Sequence, residues 1–234
     1  GGPNTNYRPM LTGIETYLIT QSDLSAGRTT PEIVNAAIAG GIDVVQVREK
    51  HVSARERLTI ARALREPTAA ANIPLIVNDR IDIAIAAEAD GVHLGDSDIP
   101  VAVARTLLPE DSIVGRSVST VEDARKAESD GADYVGVGSL FPTTSKDVDP
   151  DKHDLGLEVV QAIDNAVDIP FVGIGGITPA NAADVVAAGA DGVAVISAIT
   201  QAEDPTVATQ NLREAVEAGK RRYSAGVNQS DAQS

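Results

Sequence analysis

The segment Gly131-Ala132-Asp133-Tyr134-Val135-Gly136-Val137-Gly138 decides the fold, because variants of it recur along the chain. Each variant places an Asp one or two residues after a Gly or Ala and just before a short apolar run, the pattern of a helix that turns into a buried strand. The recurrence predicts repeated βα units with parallel strands. The other variants are Gly41-Ile42-Asp43-Val44-Val45, Ala89-Asp90-Gly91-Val92 and Gly189-Ala190-Asp191-Gly192-Val193.

Outward from these segments, short apolar runs alternate with longer Ala-rich stretches of helical period. Strands are predicted at Tyr17–Thr20, Val44–Arg48, Leu75–Asn78, Gly91–Leu94, Ile113–Ser117, Tyr134–Gly138, Phe171–Gly175 and Val193–Ser197. Helices are predicted at Pro31–Ala39, Ser53–Ala70, Ile81–Ala89, Val101–Leu108, Val121–Asp130, Leu157–Ala166, Pro179–Ala188 and Pro205–Arg222. Eight near-equal βα units in 234 residues predict a closed (β/α)₈ TIM barrel, with an open doubly wound sheet as the alternative.

The barrel is predicted to occupy residues 13–223 as one domain. Residues 1–12 have no apolar segment of the signal-peptide kind, and we expect a flexible N-terminal segment there. The polar stretch 224–234 predicts a flexible C-terminal tail. A Thr before a Pro marks two helix starts, at Thr30-Pro31 and Thr178-Pro179.

Composition excludes several functional classes. With 34 acidic and 19 Lys or Arg residues the net charge is −15, which disfavours binding to a nucleic-acid backbone. The absence of Cys excludes disulfides, thiolate metal sites and a Cys nucleophile. No run of about 18 apolar residues is present to cross a membrane. We therefore expect a soluble, cytoplasmic protein that acts on small molecules, and a homo-oligomer is compatible with the sequence.

The active site of such a barrel lies at the C-terminal ends of its strands. Nearly every predicted strand ends in polar residues or in glycines. These ends are Gln46–Lys50, Asn78–Arg80, His93–Asp98, Gly115–Ser117, Gly138–Lys146, Gly173–Ile177 and Ile196–Ser197.

Three of these ends suggest phosphate binding. Gly175 and Gly176 after strand 7 and Ser197 after strand 8 match the position where barrels often hold a phosphate, although a Gly pair can serve a tight turn alone. After strand 6, Thr143–Lys146 offers hydroxyl and ammonium donors, although it can also be an ordinary polar loop.

Asp79 and Asp98 end neighbouring strands and could converge on one Mg²⁺ ion, with phosphate and water completing its shell. The alternative is that each Asp caps the helix that follows it, as Asp79 could do for Ile81–Ala89. Arg48 and Lys50 on the adjacent strand favour the metal, because a diphosphate would lie between cations and ion. We interpret His93 as a structural or supporting residue.

Taken together, these motifs resemble thiamine phosphate synthases from about Tyr17 to Ala218, in order and on seven of the eight strands. The motifs that carry the resemblance are Gln46-x-Arg48-x-Lys50, Asn78-Asp79, Gly91-Val92-His93-Leu94-Gly95 with Asp98, Gly115-x-Ser117, Phe141-Pro142-Thr143-x-Ser145-Lys146, Gly173-Ile174-Gly175-Gly176-Ile177 and Ile196-Ser197-Ala198-Ile199.

The resemblance implies a Mg²⁺-dependent transferase that joins hydroxymethylpyrimidine diphosphate to hydroxyethylthiazole phosphate, giving thiamine monophosphate and diphosphate. It implies that the metal is bound by Asp79 and Asp98. It also implies that the pyrimidine diphosphate contacts Gln46, Arg48, Lys50, Asn78, Ser117 and Lys146, of which Arg48, Lys50, Ser117 and Lys146 assist catalysis. The thiazole phosphate would contact Thr143, Thr144, Ser145, Gly175, Gly176, Ile196 and Ser197.

Two alternative functions stay open at this point. One is the related thiazole tautomerase, whose members carry a His where this chain has Ser119 and lack the full diphosphate-binding set. The other is a barrel that only binds a thiamine precursor. The complete set of Arg48, Lys50, Asp79, Asp98 and Lys146 favours the synthase, since a silent scaffold has no need of these residues.

Overall fold

The computed structural model describes residue 11 and residues 13–142 and 154–232. Its strands are β1 Thr16–Ile19, β2 Val44–Val47, β3 Leu75–Asn78, β4 Gly91–Leu94, β5 Ile113–Val118, β6 Tyr134–Val137, β7 Phe171–Ile174 and β8 Gly192–Val195. Its helices are α1 Thr30–Ala39, α2 Ala54–Ala70, α3 Ile81–Ala86, α4 Val101–Leu107, α5 Val121–Ser129, α6 Gly156–Ala166, α7 Ala182–Ala187, α8 Ser197–Thr200 and α9 Pro205–Asp231.

The eight strands form a closed, all-parallel barrel in sequence order. Tyr17 lies opposite Val44 of β2 on one side and opposite Ala194 of β8 on the other, so β8 pairs with β1 and no strand is left at an edge. The predicted (β/α)₈ barrel is confirmed, and the open doubly wound sheet is wrong.

The barrel has two apolar cores. The larger core lies between the strands and the helices, and a smaller one fills the barrel interior. Because side chains alternate along a strand, residues two positions beyond an interior residue also face the interior. Gln46 follows Val44 in this way, and Asn78 follows Ile76. The interior core contains Ile14, Tyr17, Ile19, Val44, Ile76, Ile113, Tyr134, Val172 and Ala194.

The Asp of the recurring segment has one structural role at all four positions. Its carboxylate accepts a hydrogen bond from a backbone N–H near the start of the preceding, odd-numbered strand. The distances are 2.9 Å from Thr16 to Asp43, 2.7 Å from Leu75 to Asp90, 2.8 Å from Val114 to Asp133 and 2.9 Å from Phe171 to Asp191. We call these four contacts the aspartate clasps. They join β1 to β2, β3 to β4, β5 to β6 and β7 to β8.

Three of the clasps also pair with an Arg from the outer helices. Arg65 of α2 lies 2.9 Å from Asp90, Arg105 of α4 lies 2.6 Å from Asp133, and Arg213 of α9 lies 3.4 Å from Asp43. These three clasps therefore fasten a helix as well as two strands.

The two helix starts that were predicted from a Thr-Pro pair differ from their predictions. Thr29, not Thr30, caps α1, in a reciprocal capping box with Glu32, and the Thr30 hydroxyl instead donates to the buried Glu49 at 3.0 Å. Helix α7 begins at Ala182 because the backbone N–H of Thr178 is held in a turn by the Asn181 side chain at 2.8 Å.

The C-terminal end differs more. Strand β8 ends at Val195, and Ser197 begins the short helix α8 instead of ending the strand. Helix α9 continues to Asp231, so the predicted helix end at Arg222 is wrong. Residues 224–231 are helical and exposed, and the flexibility of this tail stays a prediction. No Pro interrupts that stretch, so the helix propagates from its packed N-terminal part without a stop signal. No helix among the described residues is long and apolar enough to cross a membrane.

Replacing Asp90 by Ala tests the clasps, because it removes the acceptor of the Leu75 N–H and the partner of Arg65. We expect the free energy of unfolding, measured by urea denaturation, to fall by about 2–3 kcal/mol, since hydrogen bonds to charged groups are among the stronger ones. The control is Asp82→Ala, which removes the exposed pair with Arg80 and should cost less than about 1 kcal/mol. Equal losses in the two variants would contradict the role of the clasp.

Candidate active site

Polar side chains from three adjacent strands meet at the C-terminal end of the barrel. The Asn78 Nδ2 donates to Gln46 Oε1 at 3.0 Å, and Gln46 Nε2 donates to the hydroxyl of Tyr17 at 2.7 Å. Gln46 and Tyr17 are both buried, so the amide and the hydroxyl satisfy each other inside the barrel.

The same chain of hydrogen bonds continues across the barrel. The hydroxyls of Tyr17 and Tyr134 lie 2.6 Å apart, and the Tyr134 hydroxyl lies 2.9 Å from His93 Nδ1. The other ring nitrogen of His93, Nε2, lies 2.7 Å from Ser117 Oγ. We call the six residues Asn78, Gln46, Tyr17, Tyr134, His93 and Ser117 the polar chain.

Burial keeps the ionisable members of the polar chain neutral. It lowers the pKa of His93 to about 4, with Arg116 and Arg48 adding positive charge nearby. It raises the pKa of Tyr17 to about 12 and the pKa of Tyr134 well above its usual value of 10. At neutral pH His93 is thus an uncharged imidazole between Tyr134 and Ser117, and its supporting role stays a prediction.

Tyr17 and Tyr134 were not among the predicted site residues, because neither lies at the C-terminal end of its strand. A signal for Tyr134 exists in the Gly115-x-Ser117 motif. A Cβ at Gly115 would overlap the ring and hydroxyl of Tyr134, so this glycine makes room for the tyrosine.

Asp79 lies beside the Asn78 end of the polar chain. Its backbone has a φ of +57°, and its Oδ1 is buried without a hydrogen-bond partner. Burial raises the pKa of this carboxyl, and the negative charge of Asp98 raises it further. The alternative of a helix cap is wrong for Asp79, since Arg80 occupies the cap position of α3 and no side chain caps it.

Asp98 faces the same region from the loop after β4. Its Oδ2 accepts a hydrogen bond from the backbone N–H of Gly95 at 2.6 Å, which closes a tight turn. Asp98 does not cap α4 either, because Pro100 occupies that position. Neither carboxylate therefore serves as a helix cap.

Cations surround the carboxylate pair. Lys50 is exposed and lies close enough to lower the pKa of Asp79, while Arg48 is half-buried and lies close enough to lower that of His93. Arg57 of α2 was not predicted, because it lies on a helix. Its Nη1 is 3.8 Å from Asp79 Oδ1, and its Nη2 donates to the backbone carbonyl of Lys50 at 3.1 Å.

The glycine pair after β7 forms a tight turn. Gly175 and Gly176 have φ values of +96° and +65°, which favour glycine. A Cβ at Gly175 would overlap Ser139, and one at Gly176 would lie 2.5 Å from the carbonyl oxygen of Pro142. The turn therefore supports the beginning of the loop after β6, and phosphate binding by this turn stays a prediction.

The remaining predicted site residues differ in where they lie, and some fall outside the described residues. Ile196 packs against the interior core, and Ser197 is exposed at the start of α8. Thr143, Thr144, Ser145 and Lys146 lie outside the described residues. The structure thus groups Gln46, Arg48, Lys50, Asn78, Asp79, Asp98 and Ser117 around one barrel mouth.

Comparison with known proteins identifies the family. The family model described as thiamine monophosphate synthase matches residues 16–199. The thiamine-phosphate synthase of Haloarcula marismortui is 59% identical over 207 residues, which are 88% of this chain and 98% of the relative. That of Natronomonas pharaonis is 58% identical over 201 residues, covering 86% of this chain and 94% of the relative.

A solved structure agrees with this match. The thiamine phosphate pyrophosphorylase of Pyrococcus furiosus superimposes with a TM-score of 0.81 at 41% sequence identity, over 88% of this chain and 97% of that one. The similarity therefore extends over the barrel as a whole rather than over one motif.

The buried hydroxyls of the polar chain can be tested by alkaline titration. The chain has four Tyr and no Trp, so tyrosinate absorbance is readily followed. We expect Tyr17→Phe and Tyr134→Phe to leave the absorbance change below about pH 11 undiminished, since both hydroxyls keep their protons in the folded protein. The unfolded chain releases these protons near pH 10, so stability should fall as the pH rises from about 10 towards 12. A signal that each variant reduces by a quarter at pH 11 would contradict the burial of these groups.

Proposed function

Because the chain belongs to the thiamine monophosphate synthase family, we propose that it joins hydroxymethylpyrimidine diphosphate to hydroxyethylthiazole phosphate. The products are thiamine monophosphate and diphosphate. The observation that carries this proposal is the meeting of two carboxylates, Asp79 and Asp98, with the cations Arg48 and Lys50 at one end of the polar chain. That combination suits a substrate with a diphosphate at one end and a polar ring at the other.

The pyrimidine diphosphate is assigned to this mouth of the barrel. Gln46 and Asn78 would meet the ring, because their amides end the polar chain on that side. Ser117 would meet the ring or the leaving oxygen from the opposite side. The positive charges of Arg48, Lys50 and Lys146 would bind the diphosphate.

Asp79 and Asp98 fit a Mg²⁺ ion. The Asp79 Oδ1 is buried with no hydrogen-bond partner, which is a costly state for a carboxylate oxygen unless a cation completes it. Among the described residues no group of three or more His, Asp or Glu side chains could hold a metal. Two carboxylates would therefore need phosphate and water oxygens to complete the shell, as Mg²⁺ sites commonly do.

The protein's part in the reaction is mainly electrostatic. When bound, Mg²⁺ would neutralise charge on the departing diphosphate. Arg48, Lys50 and Lys146 would stabilise the same leaving group, which carries its bonding electrons away from the pyrimidine methylene carbon. The thiazole nitrogen then donates its lone pair to that carbon, so correct placement of the two substrates matters more than a protein nucleophile.

The thiazole phosphate is assigned to the opposite side of the mouth. Gly175, Gly176 and Ser197 follow β7 and β8, where barrels of this type often bind phosphate. Ile196 packs at the edge of the interior core and would contact the thiazole ring. Thr143, Thr144 and Ser145 would add hydroxyl donors from the loop after β6.

The purified protein with both substrates and Mg²⁺ provides the direct test. We expect thiamine monophosphate to form, detected by chromatography, and Asp79→Asn to lower kcat/KM by about 100-fold or more, since charge stabilisation of the leaving group is lost. In metal-free buffer the same variant should have a Tm no lower than that of the wild type, because burial and Asp98 disfavour the charged carboxylate.

Asp82→Asn is the matched control, since Asp82 lies three residues away on α3 and pairs with Arg80 at the surface. This variant should retain wild-type activity. Absence of product with the wild-type protein would overturn the proposed function. Turnover of a non-aromatic thiazole phosphate tautomer instead would identify a tautomerase.

A further inference from the structure

The hydrogen bonds inside the barrel define a role for three residues that the proposed function does not use. Tyr17 and Tyr134 lie outside the family's site motifs, and His93 lies within one of them but has no assigned role. We propose that Tyr17, Tyr134 and His93 are positioning residues that fix the Ser117 hydroxyl as a hydrogen-bond donor to the bound pyrimidine diphosphate. The proposal rests on the proposed function for the identity of the substrate. It concerns how the protein orients its own donor before the substrate arrives.

The donor direction starts at the amides. Asn78 donates through Nδ2 to the carbonyl oxygen of Gln46, which leaves the Gln46 Nε2 to face Tyr17 at 2.7 Å. An amide nitrogen can only donate, so the Tyr17 oxygen accepts this bond. The proton of Tyr17 must then point to the Tyr134 oxygen, 2.6 Å away.

The direction is carried across the barrel by Tyr134. Its oxygen accepts from Tyr17, so its own proton points to His93 Nδ1 at 2.9 Å. With Nδ1 as acceptor, the neutral imidazole carries its proton on Nε2 and donates to Ser117 Oγ at 2.7 Å. The Ser117 hydroxyl proton is left to point at the substrate.

If the hydrogen bonds ran in the opposite direction, Ser117 would present a lone pair to the substrate instead of a proton. That direction requires both amides to turn over, and it makes Ser117 donate its proton to His93. Ser117 would then offer only lone pairs to a substrate rich in acceptor atoms, namely the diphosphate oxygens and the pyrimidine ring nitrogens. The direction that the two amides set therefore matches the ligand.

The arrangement is specialised for more than barrel packing. Barrel interiors are normally filled by branched apolar residues, yet Tyr17, Tyr134 and Gln46 are at most 1% exposed. A buried hydroxyl or amide is costly unless every hydrogen bond is made. The two ends, Asn78 and Ser117, are the members that reach the barrel mouth, since both are less buried than the residues between them.

Gly115 supports the same conclusion. It lies opposite Tyr134 in the β5–β6 pairing, and any Cβ there would overlap the tyrosine ring. Gly136 of β6 lies beside His93, and a Cβ at that position would be in ordinary contact with the ring, 3.6 Å from Cε1. The strands that carry Ser117 and Tyr134 thus lack side chains where the polar chain passes.

The first experiment is a double-mutant cycle between Tyr134→Phe and Ser117→Ala, with kcat and KM measured for the pyrimidine diphosphate. We expect Tyr134→Phe alone to lower kcat/KM roughly 10-fold, as loss of an outer hydrogen-bond partner commonly does. In the Ser117→Ala background it should cause no further loss, because the two residues act through one hydroxyl. Tyr223→Phe is the matched control, since Tyr223 is exposed and bonds Asp164 far from the barrel mouth.

The second readout does not require activity. Nitrogen-15 NMR of the three His residues, with His93 assigned by loss of its signals in His93→Gln, reports which ring nitrogen carries the proton. The wild type should show protonated Nε2 and acceptor Nδ1 at His93, and Tyr134→Phe should shift this tautomer balance. If Tyr134→Phe does not fold, Tyr17→Phe interrupts the same chain one step earlier.

The outcomes separate the two proposals. An inactive wild type with the expected tautomer would overturn the proposed function while supporting the donor direction. An active wild type in which His93 carries its proton on Nδ1 would overturn the positioning proposal alone. Full activity of Tyr134→Phe, or losses that add in the double variant, would also overturn it.

Discussion

The aspartate clasps are the interaction on which the rest of the barrel depends. Each carboxylate accepts a backbone N–H at the start of a neighbouring strand, where the sheet ladder has not yet begun. This contact fixes how far one strand is staggered against the next. Side chains along a strand point alternately to the interior and to the helices. The stagger that the clasps set at the N-terminal end of the barrel therefore determines which side chains reach the interior at its C-terminal end. Burial raises the pKa of Asp43 and Asp191, so the clasps place charge where it is costly. The hydrogen bonds, and Arg213 beside Asp43, offset that cost.

This arrangement separates stability from chemistry along the barrel axis. At the N-terminal end of the strands the Asp side chains bond backbone groups and outer helices. At the C-terminal end the same interior rows that begin with Val44 and Ile76 finish with Gln46 and Asn78. Asp79 shows the contrast, because its backbone is left-handed and its buried Oδ1 accepts no hydrogen bond among the described residues, with only Arg57 Nη1 beside it at 3.8 Å. A residue that is unfavourable for folding at such a position is best explained by a ligand that completes it.

The sequence was sufficient for the parts of the structure that follow from local patterns. All eight strands could be located, with bounds within about two residues, since the Asp-containing turn marks four of them directly. The expectation that site residues lie at the C-terminal ends of the strands found both carboxylates and two of the cations near them. It could not find Tyr17 or Tyr134, which lie within strands, or Arg57, which reaches Asp79 from a helix. These residues become neighbours only when the barrel closes, and the pattern of residues along the sequence does not show which side chains that closure brings together. The end of α9 was missed for another reason, since polar residues 224–231 carry no periodic apolar signal.

The net charge of −15 and a site for two phosphorylated substrates are compatible because charge acts locally. Many acids lie on the outer helices, where Asp130 and Asp184 pair with Lys126 and Arg222. At the barrel mouth, by contrast, cations lie among the acids. Arg48 and Arg116, from different strands, both lie close enough to the buried His93 to lower its pKa. An imidazole enclosed by the barrel therefore experiences a positive field, although the protein as a whole is strongly acidic. An anion entering the mouth would meet that same field, with the low-dielectric barrel wall behind it strengthening the attraction.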